Sequence, residues 1–235
     1  MCVYEGHDLS AGQTYLRAAT YRRASLHRHP DPFHTEIAVI TQQAVDNFDN
    51  FVRLTNYPCQ AVRIPYEETT LPGYLCLNDQ AMDPAPTIIY NQGKYGWMED
   101  GKNVVDESMK RGYHVLLYDG PGMGRTIRLQ SLPFRHDWEN VITPIINYLE
   151  EQPQVDSNNL ALISLSLGGF LAPRAACFEH RLKALIPNPG GKSLVLECTC
   201  MCSWMCVCVC VCVCSHALPR RYRHLRYSCQ LVSCV

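Results

Sequence analysis

A serine on a tight turn is the residue best placed to do chemistry in this chain of 235 residues. The sequence Ser-Leu-Ser-Leu-Gly-Gly at residues 164–169 follows an apolar run from Leu160 and leads into a helix-forming stretch. A serine in such a strand-to-helix turn projects its hydroxyl over the edge of a sheet, where it can attack a carbonyl carbon. The turn requires small residues two before and two after the serine; Gly168 meets this requirement, and Ser164 stands where glycine is usual. We therefore predict that Ser166 is a nucleophile, with an ordinary turn bearing surface serines as the alternative.

Two sets of backbone amides could hold the negative charge that forms when a serine attacks a carbonyl. The Leu167 amide opens the helix after Ser166, and the positive end of the helix dipole favours an anion there. The loop 91–96 follows a short apolar run, and in enzymes with this kind of turn the corresponding loop supplies a second amide donor. Gly93 and Lys94 are the predicted donors, and a plain glycine turn is the alternative for each.

Other motifs in the chain predict neither a cofactor nor a metal. The glycine-rich segment 119–125 lacks the G-x-G-x-x-G spacing of a dinucleotide site. Residues 191–193 lack the first glycine of a phosphate loop, because Ile186 occupies that position. Three histidines within residues 27–34 surround a proline-containing turn, but no cysteine or carboxylate spacing completes a ligand set. We interpret this histidine cluster as a solvated turn between two helices.

The predicted site needs a sheet to position it, and the hydrophobic pattern of the chain predicts one. Apolar residues at helical spacing indicate helices, and short continuous apolar runs are typical of strands covered on both faces. The predicted helices cover residues 10–25, 35–54, 99–111, 137–151 and 168–179, and the predicted strands cover 61–65, 71–77, 87–90, 114–118, 160–164 and 182–186. Strand and helix alternate from residue 87 to 186, which indicates an α/β fold with a doubly wound, mostly parallel sheet.

Four motifs in chain order carry a resemblance to a known family. They read Ile64-Pro-Tyr-Glu-Glu-Thr-Thr-Leu-Pro-Gly-Tyr74, Tyr118-Asp-Gly-Pro-Gly-Met-Gly124, Leu132-Pro-Phe-Arg-His-Asp-Trp-Glu139 and Ser166-Leu-Gly-Gly-Phe-Leu-Ala-Pro-Arg-Ala-Ala176. From about residue 10 to 188 the chain resembles α/β-hydrolases related to the fungal polyketide-shortening hydrolases of pigment biosynthesis and to the bacterial 2,6-dihydropseudooxynicotine hydrolase.

That resemblance carries several implications for function. It implies a serine hydrolase that takes a small-molecule substrate and cuts a carbon–carbon bond beside a ketone, or an ester or thioester bond. An enzyme resembling the acyl-peptidases (dipeptidyl aminopeptidase and acylaminoacyl-peptidase type) is the alternative within the same family. The resemblance also implies that a helical N-terminal segment of the lid type helps to cover the site.

The rest of a catalytic triad does not follow in the order that this fold requires. There the nucleophilic serine is followed by an acid and then by a histidine. After Ser166 the chain has no aspartate; its glutamates are Glu179 and Glu197, and its histidines are His180, His216 and His224. Glu179 and His180 belong to the end of the helix after the turn, which is the wrong place for groups delivered by later strands. We therefore expect the triad acid and base to be absent and this chain to be impaired as an enzyme, with a non-catalytic remnant as the alternative.

The last part of the chain differs in composition from the rest. Ten of the 14 cysteines follow residue 190, and residues 206–214 alternate cysteine with valine, as a translated TG repeat would. The tripeptide Gly-Lys-Ser at residues 191–193 can be encoded by a sequence that contains a strong intron donor. We therefore predict a helical N-terminal segment (1–57), a partial α/β-hydrolase core (58–190) and a low-complexity tail (191–235) that is translated intron. A Cys-x-Cys metal cluster is the alternative for the tail.

Composition and charge restrict the partners of this chain. Its formal net charge is −1, with 21 Lys and Arg residues against 22 Asp and Glu residues, which disfavours a nucleic-acid-binding protein. No secretory signal is visible, cysteines are sparse before residue 190, and the apolar stretch 194–214 has a period of two. We therefore expect a cytoplasmic protein without a membrane span. Arg125, Arg128 and Arg135 could face an anionic substrate, but we expect them to form a solvated, salt-bridged surface.

Overall fold

The structure, a computed structural model, describes residues 6–188 except 28, 30, 32 and 33, together with the backbone of residues 210–213 and 230–231. Its helices are α1 (Asp8–Leu26), α2 (Glu36–Thr55), α3 (Lys102–Met109), α4 (Gly124–Leu129), α5 (Glu139–Glu150) and α6 (Leu167–Phe178), and a 3₁₀ helix (Met98–Gly101) precedes α3. Its strands are β1 (Cys59–Tyr66), β2 (Thr69–Cys76), β3 (Ala85–Asn91), β4 (His114–Tyr118), β5 (Val155–Leu165), β6 (Leu182–Asn188), β7 (Cys210–Val213) and β8 (Gln230–Leu231). The predicted alternation of strand and helix is confirmed.

One mixed sheet organises these elements in the order β1-β2-β4-β3-β5-β6-β7-β8. Strands β4, β3, β5 and β6 are parallel, whereas the β1–β2 hairpin and the short strand β7 join the sheet antiparallel. The carboxyl ends of β3 and β5 are neighbours, and the register pairs Asn91 with Ser164. The ends of these two strands therefore deliver the loop 91–96 and the serine turn to the same edge of the sheet.

Helices cover both faces of the sheet, which explains why its central strands are continuously apolar. On β4, Leu116 and Tyr118 pack into the core with α5 and α6, and Val115 and Leu117 pack into the core with α1, α2 and α3. All five residues of this strand are buried. Within the described residues, no helix combines the length and the hydropathy that a bilayer crossing requires.

A disulfide closes the open end of the β1–β2 hairpin. Glu67 and Glu68 form the turn at the other end, inside the turn that the sequence predicts. Cys59 and Cys76 are register partners in the antiparallel pair, their Cα atoms are 3.9 Å apart, and their sulfurs are bonded. Nothing in the spacing of these two cysteines predicts the bond; it follows from the register of the strands.

The structure departs from the predicted elements in three places. The predicted helix over 99–111 is a 3₁₀ turn followed by α3, and α4 was not predicted at all. Strand β5 begins at Val155, before its apolar part, because its first residues pair with the start of β3. Apart from the short strands β7 and β8, the predicted tail (191–235) lies outside the described residues.

Candidate active site

Ser166 occupies the sharp turn between β5 and α6, in a backbone conformation that few residues adopt. Its φ of 55° and ψ of −123° place it in a strained region, at a cost of about 1–3 kcal/mol that the surrounding structure must offset. The Ser166 amide donates to the Asn188 carbonyl at the end of β6 (2.6 Å), and the Gly169 amide donates to the Ser166 carbonyl (2.8 Å). Ser166 is partly exposed, so its hydroxyl is accessible.

Gly168 lets the first turn of α6 approach the end of β3. A Cβ atom at this position would lie 2.4 Å from the Gln92 carbonyl oxygen and 2.6 Å from the Asn91 side-chain nitrogen. Any other residue would therefore push the helix, and with it the serine turn, away from the sheet. This is the requirement that the sequence motif predicts for the position two residues after the serine.

The loop after β3 lies directly against the serine. A Cβ atom on Gly93 would be 2.8 Å from the Ser166 Cβ and 3.3 Å from its Oγ. Gly93 therefore faces Ser166 with no room between them for a side chain, and Lys94 is the next residue of the same loop, with its side chain exposed. Leu167 is buried and is the first residue of α6, where amide groups have no carbonyl partner inside the helix. The structure thus brings Ser166, Leu167 and Gly93 together.

The residue that replaces the usual glycine before the serine places a hydroxyl beneath the turn. Ser164 is completely buried, and its Oγ has no hydrogen-bond partner among the described residues. Its register partner Asn91 accepts hydrogen bonds at Oδ1 from the Tyr118 hydroxyl and from Trp138 Nε1 (3.2 Å). The Asn91 Nδ2 also lacks a partner within the described chain. The floor of the turn is therefore polar, which the apolar pattern of β5 does not predict.

Asp119 connects the loop after β3 with the loop after β4. Its Oδ1 accepts from the Met98 amide (2.9 Å) and its Oδ2 accepts from the Arg125 amide (2.8 Å). The residue is completely buried, and burial together with the nearby Glu99 carboxylate raises the pKa of Asp119 to about 7. A Cβ atom on Gly124, whose φ is +36°, would lie 2.2 Å from Asp119 Oδ2. Glycine at this position therefore makes room for the carboxylate.

Arg125 is buried beside this carboxylate, so the expectation that it belongs to a solvated surface is wrong. Its guanidinium donates to Glu99 Oε1 through Nη2 (2.5 Å) and Nε (3.1 Å), and to the Tyr74 hydroxyl (2.7 Å). Tyr74 in turn donates to Asp49 of α2 (2.5 Å). Burial alone would raise the pKa of Glu99, but the cationic arginines nearby hold it below its usual value.

The other two arginines differ from each other. Arg128 lies 4.6 Å from the centre of the Trp97 ring, and Arg135 forms the predicted surface ion pairs, with Glu67 and Asp137. Sequence reasoning missed the buried network because its members come from separate elements. The glycine-rich stretch after β4 was the signal that could have revealed it.

Comparison with known proteins decides the family. The alpha/beta hydrolase family matches residues 90–227. This chain belongs to the alpha/beta hydrolase family. It is 31% identical over 195 residues to the Hydrolyase poxO of Penicillium oxalicum, covering 78% of this chain and 46% of that protein. It is also 31% identical over 195 residues to the 20-hydroxy-prefusarin hydrolase FUS2 of Gibberella moniliformis, covering 79% of this chain and 46% of that protein.

Solved structures show the same fold. The 2,6-dihydroxy-pseudo-oxynicotine hydrolase superposes with a TM-score of 0.68 and 22% sequence identity, covering 77% of this chain and 50% of that one. The predicted resemblance to this group of hydrolases is therefore confirmed at the level of family and fold. The chain spans about half the length of the curated relatives that it matches.

In this alpha/beta hydrolase the acid and the histidine nearest in sequence lie at the wrong end of α6. The helix has 12 residues, so its two ends are about 18 Å apart at 1.5 Å per residue. Glu179 follows its last turn and accepts from Arg181 (2.5 and 2.8 Å) and from Thr143 (3.0 Å). His180 is the next residue along the chain. The other candidates, Glu197, His216 and His224, lie outside the described residues.

The structure also places the histidines of the turn between α1 and α2. The rings of His29 and His34 are 5.3 Å apart, and the ring of His27 lies 5.5 Å from that of Tyr95. In the described part of the chain, no group of three or more His, Cys, Asp or Glu residues is arranged to hold a metal ion.

Proposed function

We propose that this chain supplies the nucleophile and the oxyanion hole of a serine-type hydrolase that acts on the carbonyl group of a small molecule. One observation carries the proposal: Ser166 is held in a strained conformation at the start of α6, with Gly93 packed so closely against it that a side chain at residue 93 would clash. Strain of this kind is stable only where the surroundings enforce it, and it is concentrated at functional sites.

The proposed reaction follows from this geometry. The Ser166 oxygen attacks the carbonyl carbon while its proton passes to a base, and the resulting oxyanion accepts hydrogen bonds from the amides of Leu167 and of Gly93 or Lys94. Collapse of this intermediate breaks the bond to the leaving group, which departs with the electron pair as an enolate, an alkoxide or a thiolate and takes up the proton from the base. Water then cleaves the acyl group from the serine and restores its hydroxyl.

The names of two similar proteins support a small-molecule substrate, for which we propose a polyketide-like compound that bears a ketone or an ester. One of them is described as a 20-hydroxy-prefusarin hydrolase and the other as a 2,6-dihydroxy-pseudo-oxynicotine hydrolase. Carbon–carbon cleavage beside a ketone uses the same attack on a carbonyl as ester hydrolysis, and the two differ in the group that leaves.

We further propose that this chain is impaired as a catalyst, because within the described residues the acid and histidine that follow Ser166, Glu179 and His180, lie about 18 Å from it at the far end of α6. A general base contributes about 10²–10⁴-fold to such reactions. Ser166 without a base retains the oxyanion hole but reacts slowly.

A fluorophosphonate probe tests both proposals. The serine oxygen forms a bond to phosphorus, fluoride leaves, and the serine proton passes to a base, which added imidazole can supply. We expect slow labelling of Ser166 that imidazole accelerates, measured by mass spectrometry of the peptide that contains it. Ser166→Ala should abolish this adduct, and the exposed Ser10→Ala should leave it unchanged. Labelling that is equal in Ser166→Ala would refute the nucleophile, whereas rapid labelling without imidazole would refute only the impairment.

A further inference from the structure

The loop of residues 92–98, named here the oxyanion loop, is closed by its own hydrogen bonds. The Gln92 side-chain amide donates to the Trp97 carbonyl (2.9 Å), and the Gly96 amide donates to the Gly93 carbonyl (3.1 Å). These bonds fix the shape of the loop. They do not fix where the far end of the loop lies relative to Ser166, because both partners of each bond belong to the loop itself. The near end is held by β3, whose last residue Asn91 pairs with Ser164.

Two carboxylates bind the far end of the oxyanion loop, and they differ in kind. Asp100 belongs to the adjoining 3₁₀ helix; it accepts from the Trp97 amide (3.0 Å) and from Arg23 of α1 (3.1 Å). Asp119 accepts from the Met98 amide (2.9 Å) and follows β4, which is hydrogen-bonded to β3 in the sheet. Its own amide donates to the Pro72 carbonyl of β2 (3.1 Å). Asp119 therefore connects the loop to the rigid part of the fold.

The two hydrogen-bond donors that face Asp119 match a carboxylate and do not match its amide analogue. An ionised carboxylate only accepts hydrogen bonds, and here each oxygen faces one backbone N–H group, from Met98 and from Arg125. An asparagine would turn an NH₂ group toward one of these amides, so one hydrogen bond would be replaced by two opposed donors. Bonds to an ionised acceptor are about twice as strong as bonds between neutral groups.

We propose that Asp119 is a positioning residue for the oxyanion hole: by holding the Met98 amide, it holds Gly93 against Ser166. This inference rests on the proposed function of Ser166, but the position of the loop can be measured without any reaction. If Asp119 had a purely structural role, its replacement would make the whole fold less stable. If it is a positioning residue, its replacement loosens the oxyanion loop in particular.

The test compares Asp119→Asn with a matched carboxylate-to-amide change, Glu179→Gln, at the far end of α6. Hydrogen exchange followed by mass spectrometry reports on the segment 92–101 and on β5. In Asp119→Asn we expect at least tenfold faster exchange in the segment 92–101, with β5 changed no more than in Glu179→Gln. Imidazole-assisted labelling of Ser166 should also slow at least tenfold in Asp119→Asn and stay unchanged in Glu179→Gln. Exchange that rises equally in both segments, or does not rise in the loop, would overturn the proposal.

The two readouts separate this proposal from the proposed function. A wild-type chain that is not labelled at Ser166 refutes the nucleophile, while the exchange data still decide whether Asp119 holds the loop.

If Asp119→Asn does not fold, hydrogen exchange of the wild-type chain is measured between pH 5.5 and 8.5 instead. The charged and titratable groups around Asp119 are Glu99, Arg125, Arg128 and Tyr118.

In that second form of the test, a neutral Asp119 is the weaker acceptor. Protection of the Met98 amide, corrected for the intrinsic pH dependence of exchange, should therefore fall as the pH drops through about 7, while protection in β5 stays constant. Loop protection that does not change with pH would contradict the proposal.

Discussion

Two arginine–glutamate ion pairs, Arg125–Glu99 and Arg181–Glu179, lie in different regions of the molecule. The closest nitrogen–oxygen distance is 2.5 Å in both. The Arg125 and Glu99 side chains are 11% and 1% exposed, whereas the Arg181 side chain is 34% exposed, although that of Glu179 is only 7% exposed. Around the first pair lie other buried polar groups; Arg181 additionally binds Glu150 at the surface of α5. The contact distance is the same, but the solvent around the two pairs is not.

The comparison teaches that burial, and not contact distance, decides what each pair contributes. A buried charge that loses its partner cannot be solvated, so breaking one half of such a pair is costly. A surface arginine is replaced by water when it is removed. The buried pair also lies between α2 and the oxyanion loop, and it therefore links the N-terminal helices to the candidate site.

The largest effect should come from Arg125→Met, which leaves Glu99 buried without its nearest cation. We expect the free energy of unfolding to fall by about 3–5 kcal/mol, measured by urea denaturation. Arg125→Lys keeps the positive charge and should lose less. A loss below about 1 kcal/mol in Arg125→Met would mean that the pair behaves like a surface pair.

A smaller loss of stability, with a large effect at the site, is expected for Gly93→Ala. The new methyl group would lie 2.8 Å from the Ser166 Cβ and 3.0 Å from the Leu165 carbonyl oxygen, so the loop must move away. Overpacking of this kind costs about 1–3 kcal/mol, and we expect imidazole-assisted labelling of Ser166 to slow at least tenfold.

The matched control for that change is Gly112→Ala. Its φ of +82° strains any other residue, but nothing lies within 4 Å of the added methyl group. Labelling of Ser166 should therefore be unaffected in this variant. Equal loss of labelling in both variants would show that backbone strain, and not contact with the serine, explains the result.

Removal of the surface cation should matter less than either change. We expect Arg181→Met to lower the free energy of unfolding by less than Arg125→Met does, because Arg181 is partly exposed and water can take its place beside the Glu179 carboxylate. The loss should be smaller still in 0.5–1 M salt, because salt screens the exposed part of the pair. Urea denaturation at low and high salt provides the measurement. A loss as large as that of Arg125→Met would overturn the comparison between the two pairs.

The smallest effect concerns a buried group that carries no charge. Burial lowers the pKa of His114, whose Nδ1 accepts from the Asn78 amide (3.0 Å). The unfolded chain therefore binds a proton at a higher pH than the folded chain does. Stability should consequently fall as the pH drops below about 6.5, the usual value for histidine. His114→Gln should show a weaker dependence between pH 7.5 and 5.5 in the same denaturation experiment; an identical slope would argue against the assignment.

Local sequence patterns account for most of the fold but not for the way its loops are held. Strand β4 begins and ends where its continuous apolar run does, and the serine turn is recognisable because Gly168 is required there for close approach. By contrast, β5 begins before its apolar run because Val155 and Asp156 are held by backbone pairing to β3, which no side-chain pattern records.

The buried contacts of Asp119 and Arg125 could not be predicted for a related reason. They join residues from β2, the 3₁₀ helix and α4, which only the topology of the sheet brings together. Periodicity describes which face of an element is buried. It does not describe which buried polar groups meet.

The bond between Cys59 and Cys76 turns the hairpin into a closed ring of chain. Strand β1 is the last strand at its edge of the sheet, and the bond joins its first residue to the last residue of β2. An edge strand can be exchanged between two copies of a protein, or extended by a neighbouring chain. A ring cannot be opened from its end, so the oxidised hairpin must leave the sheet as a whole or stay. Reduction restores a free strand end, and with it a route to exchange that the oxidised protein lacks.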